Sequence, residues 1–160
     1  MDNDDADPLA HQAPIVADEY DVPSGLTHDR FRLVPLDARY NVGDYAAWTS
    51  SMDHIRATPG YAGRDWPDPT LTLEDNERDL TGHADHFARR VGFTYTVLDS
   101  DRDEVIGCVY IYPPRSDEYD VDVRSWVRAD RADLDRPLYE AVLRWLSDDW
   151  PFSSPCYAAR

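Results

Sequence analysis

Asp122 to Leu146 reads DVRSWVRADRADLDRPLYEAVLRWL, and how that run divides decides the fold. The alternation entering it from Tyr119 puts Tyr119, Val121, Val123, Ser125 and Val127 on one side. Asp120, Asp122, Arg124 and Trp126 fall on the other, which is the period of a strand. Further on, Leu138, Ala141, Val142, Trp145 and Leu146 form the apolar stripe of a helix. Asp135 is its expected N-cap, and Pro137 suits its first turn. The linking turn is charged and holds no glycine. In many α/β proteins such a turn holds a phosphate, because unpaired N–H groups and the helix dipole favour an anion there.

Upstream, Phe31–Leu36 reads as a short strand with Pro35 favouring a sheet edge. Tyr45, Trp48, Met52 and Ile55 predict one helix ending near Pro59 and Gly60. Thr72 is placed to cap a second helix whose stripe is Leu73, Leu80, Ala84, Phe87 and Val91, with Gly92 as its stop. Phe93–Leu98 alternates, the turn DSDRD follows, and Val105–Tyr112 is nearly all apolar, as expected of a central strand covered on both faces. The tail WPFSSPCYAAR supplies one more strand. The order β-α-α-β-β-β-α-β predicts an α/β (α+β) domain, a mixed, mostly antiparallel sheet with helices packed on it.

A chain of 160 residues that is 42% hydrophobic suits one domain with a real core, expected over residues 27–160. Residues 1–26 carry seven acids, no arginine and few large apolar groups, so they are expected to form a flexible acidic arm, or in part a strap on the domain. The start lacks a secretory signal pattern, and no apolar run is long enough to span a bilayer. Cys108 and Cys156 make no disulfide framework, so a reduced, cytoplasmic protein is expected. The net charge is −16, and all 16 basic residues are arginine or lysine by class and arginine in fact. Such a surface repels nucleic acid and anionic membranes.

The element order and lengths resemble the GNAT superfamily of acyl-CoA-dependent N-acyltransferases over about Phe31 to Arg160. The best matching stretches are the hairpin FTYTVLDSDRDEVIGCVYIYP and the unit VRSWVRADRADLDRPLYEAVLRWL. The resemblance implies an N-acetyltransferase that uses acetyl-CoA as cosubstrate and a small-molecule or peptide amine as acceptor. It also implies that the strand after Tyr119 splays from the next one and takes the pantetheine arm between them. In the family the turn usually reads Arg/Gln-x-x-Gly-x-Gly/Ala. This chain has Arg131-Ala-Asp-Leu-Asp-Arg136, so both glycine positions carry side chains. The family also continues beyond the last helix for longer than this chain does, and the segment that often carries a general-acid tyrosine has no counterpart here except Tyr157.

On that footing Ser125, Trp126, Val127, Arg128, Arg131, Ala132, Asp133 and Arg136 are the expected acetyl-CoA contacts. Arg124, Arg128, Arg131 and Arg136 either replace glycine amides as phosphate donors or pair with Asp130, Asp133 and Asp135. Asp122 and then Asp120 are the candidates for taking the ammonium proton, or else they belong to a solvated sheet edge. Trp48, Tyr61, Trp66 and Tyr110 are the candidate acceptor pocket, or packing beneath the loop Pro59–Pro69. His83 and His86 have the spacing of a ligand pair, but no third ligand stands out and no metal is expected. The open sheet edge makes a homodimer an expectation. A binding or interaction module that keeps the scaffold without its chemistry is the alternative to an enzyme.

Overall fold

The computed structural model describes residues 7–160. Its one sheet has six strands in sequence order: β1 (Leu26–Thr27), β2 (Phe31–Pro35), β3 (Phe93–Asp99), β4 (Val105–Tyr112), β5 (Val121–Val127) and β6 (Pro155–Tyr157). All neighbours are antiparallel except β5 and β6, which run parallel. The helices are α1 (Asn41–Thr49), α2 (Met52–Ala57), α3 (Leu73–Ala88) and α4 (Asp135–Asp149). This is the mixed, mostly antiparallel architecture expected, with β1 added at one edge.

Two cores lie on the two faces of the sheet. Leu138, Val142, Trp145 and Leu146 of α4 pack on Val121, Val123 and Val127 of β5 and on Tyr95 and Ile111. On the other face Ala47, Trp48, Ile55 and Leu80 cover Leu98, Cys108 and Trp126. At Gly107 a side chain is excluded, because a Cβ there would lie 2.1 Å from the Trp126 carbonyl oxygen of β5.

The single helix expected from Tyr45 to Ile55 is two. The hydroxyls of Thr49 and Ser50 bond back to the Tyr45 and Ala47 carbonyls at 2.6 and 3.0 Å, which competes with the helical ladder and breaks it before Met52. Thr72 does cap α3, in a reciprocal capping box with Asp75. The helix ends earlier than expected, with Arg90 in the left-handed region at φ +63°, and Gly92 serves a different purpose. A Cβ on Gly92 would meet the Tyr112 ring at 2.4 Å, so glycine there lets that ring lie flat against the chain. Asp135 is the first residue of α4 rather than its N-cap, and its carboxylate turns toward Arg160.

The stretch expected as a flexible arm follows the domain surface from Asp7 onward; its first six residues lie outside the described part of the chain. Ile15 N–H bonds the Arg90 carbonyl at 2.9 Å, and Val16 is buried in the α4-side core. The Arg90 guanidinium donates to the carbonyls of Ala17 and Tyr20, and Tyr95 donates to the Pro23 carbonyl at 2.6 Å. A few apolar groups suffice here because Arg90 and Tyr95 satisfy the strap's carbonyls, which would otherwise hold it in water. Arg90→Ala is expected to lose about 1.5–3 kcal/mol of stability in urea denaturation, the range for charge-assisted bonds. Hydrogen exchange should speed up at Ile15 and Tyr20 while β3 and β4 amides keep their protection.

Candidate functional site

The distinctive geometry is at the end of the parallel pair. β6 matches β5 at Val121 with Pro155, Asp122 with Cys156 and Val123 with Tyr157, and there the pairing stops while β5 runs on to Val127. Beyond that point β5 has backbone groups without a strand partner on that side. The Ser125 carbonyl accepts instead from the Arg160 guanidinium at 2.9 Å, and Ser125 Oγ is 3.2 Å from the same nitrogen. Tyr157 Oη meets Ser125 Oγ at 2.5 Å. Arg160 Nε donates to Asp135 at 2.6 Å, and the guanidinium sits over the Tyr139 and Tyr157 rings. With 4% of its side chain exposed, Arg160 fills the gap between the strands.

In the turn leading into α4, Arg128 and Arg131 are half-buried and Arg136 is exposed, and each has a partner within the protein. Arg128 binds Asp130 at 2.9 Å, and Arg131 binds Asp99 at 2.6 Å. Arg136 donates to the Arg160 carbonyl at 3.1 Å, and Asp133 is taken by Arg30 at 2.5 Å. Backbone donors are engaged as well: Ala129 N–H on Ser51 Oγ at 2.9 Å, and Arg131 N–H on the Arg128 carbonyl. Of the two expected roles of these arginines, pairing with an acid of the turn describes Arg128, whereas Arg131 pairs with Asp99 of β3 and Arg136 with a carbonyl of the tail. Ala132 lies exposed in the turn, Val127 faces the α4-side core, and Trp126 faces the opposite core with its Nε1 on Tyr110 Oη at 3.0 Å.

The two candidate acids part company. Asp120 precedes β5 and accepts the N–H groups of Ser153 and Ser154, which fixes the entry to β6. That is a structural task, and it takes both carboxylate oxygens. Asp122 is nearly buried within β5, with the guanidiniums of Arg64 and Arg124 at 3.7 and 3.4 Å. Asp122, Arg124 and Trp126 all face the α1–α3 side.

On that side lies a cavity of about 200 Å³ between α3 and the sheet. Trp66, Tyr110 and Arg124 form one wall, and Asp44, Asp79 and His83 supply the ionisable groups. Of the expected pocket residues, Trp66 and Tyr110 line it. Trp48 and Tyr61 are buried behind Trp66, with ring centroids 5.5 and 6.2 Å from it. The Arg124 guanidinium lies over the Tyr61 and Tyr110 rings at 5.8 and 5.1 Å. Burial lifts the Asp44 carboxyl above its usual range, against the pull of the Asn76 amide and the Cys108 thiol. Burial first, and then the neighbouring His86 and Arg124, drive His83 down to about 4. Cys108 is buried, with its thiol pushed well up, which leaves no nucleophilic thiolate.

No protein-family model matches the chain, and no curated protein is similar to it in sequence. Solved structures are similar in shape. Microcin C7 self-immunity acetyltransferase MccE, in complex with acetyl-CoA and AMP, has a TM-score of 0.60 at 12% identity, over 79% of this chain and 67% of that one. Ribosomal-protein-S5-alanine acetyltransferase from Vibrio fischeri gives 0.59 at 14% identity, with the same two coverages. RimL, the ribosomal L7/L12 α-N-protein acetyltransferase in complex with coenzyme A, gives 0.59 at 10%, over 79% and 65%. The fold is that of the GNAT acetyltransferases. This chain spans 64% to 67% of the length of such relatives.

Against acetyl-CoA, the two halves of the site behave differently. The diverging strands suit an amide-bearing arm, since Ser125 offers a carbonyl that already binds an N–H donor. The turn suits a diphosphate less well: its Ala129 and Arg131 N–H groups are engaged, and Asp135 keeps a buried carboxylate oxygen without a partner. Arg160, Ser51 and Asp44 were missed in the sequence, since none stands in a motif and each acts across more than sixty residues or through the tail. Arg160→Ala should lose about 3 kcal/mol in denaturant titration, because it strands the Asp135 carboxylate. Asp99 is held below the usual carboxylate range by the Asp101 N–H first and by Arg131 as well. Its stabilising effect is complete above about pH 4, the unfolded value, and is lost as pH falls through the lower folded value. Arg131→Ala should therefore raise the midpoint of acid unfolding.

Proposed function

We propose that the chain is a GNAT-type N-acetyltransferase that moves an acetyl group from acetyl-CoA to a small amine. The observation that carries this reading is that β5 outruns β6 and the resulting gap is closed by a guanidinium, not by apolar packing. A polar plug that can rotate into water is reversible, whereas a hydrophobic one is not. With Arg160 swung aside, Ser125 and, by the alternation of the strand, Val127 have backbone groups free for the acyl arm. MccE in complex with acetyl-CoA and RimL in complex with coenzyme A support the same cosubstrate.

Acetyl-CoA, when bound, supplies an activated acetyl thioester. Asp122 would take the ammonium proton, directly or through a water, from an acceptor lying along the Arg124 and Tyr110 wall. Trp66 would close that wall and exclude water. The net charge of −16 draws a cationic acceptor toward the protein. A homodimer covering the outer edge of the three-residue β6 belongs to the same reading.

The engaged turn favours a second reading, a ligand-binding module on the same scaffold without acyl transfer. Thermal unfolding with acetyl-CoA at a hundred times a typical dissociation constant separates them. Binding to the native state should add about 2.7 kcal/mol, and Arg160→Ala should enlarge the shift by removing the plug. Asp122→Asn should then lower kcat by about 10²- to 10⁴-fold, the range for a general base, in an assay of free thiol release. No shift in either protein, with no thiol release across an amine panel, would leave the module.

A further inference from the structure

His83 and His86 do not converge on a metal; they share a hydroxyl. Tyr112 Oη lies 2.6 Å from His83 Nδ1 and 2.9 Å from His86 Nδ1. His86 Nε2 reaches Asp7 of the strap at 2.9 Å, and Arg89 binds the other Asp7 oxygen at 2.6 Å. The Leu9 N–H first, and then His86 and Arg89, keep Asp7 below the usual carboxylate range, so it only accepts. That assigns the protons along the chain. His86 carries its proton on Nε2 and, when neutral, accepts from the Tyr112 hydroxyl at Nδ1. The Tyr112 oxygen then accepts from His83, its nearest remaining neighbour at 2.6 Å, whose proton sits on Nδ1, and at 3.4 Å from Thr94 Oγ1, which also lies 3.1 Å from His83 Nδ1. His83 Nε2 is left with its lone pair and with no hydrogen-bond partner among the described residues, in a side chain that lines the cavity.

We infer that His83 Nε2 is the acceptor for an N–H of the cavity's ligand, and that this ligand is a small primary ammonium. This inference rests on the cavity being the acceptor pocket of the reading above. The volume of about 200 Å³ is below that of ordinary ligand pockets, so it suits an amine of few atoms, or one side chain. The groups facing His83 agree. Tyr110 and Trp66 line the cavity, the Tyr110 ring centroid 5.7 Å from that of His83, and Asp79 makes no ion pair among the described residues. The cation on the wall, Arg124, is balanced by Asp122 at 3.4 Å, while Asp44 adds a further acid.

The test needs no acetyl-CoA, so a failure of acyl transfer leaves it standing. Long-range proton–nitrogen correlation spectra of ¹⁵N-labelled protein should show His83 protonated at Nδ1 and bare at Nε2, with His86 the reverse. Adding n-butylammonium should move the His83 Nε2 resonance and raise the melting temperature, while n-butanol does neither. Tyr112→Phe should abolish the His83 tautomer preference and weaken n-butylammonium about tenfold. A His83 found protonated at Nε2 in the wild-type protein, or an equal response to n-butanol, would overturn the inference.

Discussion

A strand that continues past its partner leaves backbone groups that water or a side chain must satisfy, and that condition shapes the C-terminal part of this protein. β5 uses nearly all of its length to face β4, since its register there runs from Asp122 to Val127. β6 supplies three residues and then turns away. The tail therefore returns Arg160 to the gap, where one guanidinium serves the Ser125 carbonyl, the Asp135 carboxylate and two aromatic rings at once. Arginine is suited to this because its planar fork holds several donors in one plane and stacks on rings. A lysine could serve one of those partners at a time.

The same economy of cations explains the turn before α4. In a chain with twice as many acids as bases, an arginine beside aspartates is paired before any ligand arrives. Arg128 and Asp130 are two residues apart, and Arg131 reaches the Asp99 carboxylate that already organises the β3–β4 turn. The turn is thereby tied to the hairpin, and the start of α4 gains its position from ion pairs instead of from glycine geometry. The two halves of the cleft are consequently unequal, a strand edge served by one side chain of the tail and a turn tied down by ion pairs.

Most of the sheet was legible because its signals are local. Val105–Tyr112 is read from burial on both faces, β5 from its alternation, and α3 from the Thr72–Asp75 box. The break between α1 and α2 was not, since Tyr45, Trp48, Met52 and Ile55 keep helical spacing across it while two hydroxyls undo the ladder beneath. The strap is only weakly signalled for a related reason. Composition counts apolar groups, but what holds residues 15 to 23 is the donors of Arg90 and Tyr95, seventy residues away. Of the residues that line the cavity, Trp66 and Tyr110 stand among the expected pocket residues, whereas Arg160, which fills the strand gap, has no pattern to betray it.

The strap also changes what the α3 histidines can be. Without Asp7, His86 has no fixed acceptor at Nε2, Tyr112 has no preferred donor direction, and His83 has no reason to choose a tautomer. A segment that looks dispensable by composition thus sets the polarity of a buried hydrogen-bond chain whose other end lies in the cavity. Gly92 belongs to the same device, since only a residue without a side chain lets the Tyr112 ring lie where both imidazoles can reach its hydroxyl. The cavity's character as acceptor or donor is therefore decided by contacts on the far side of α3, not by the residues that line it.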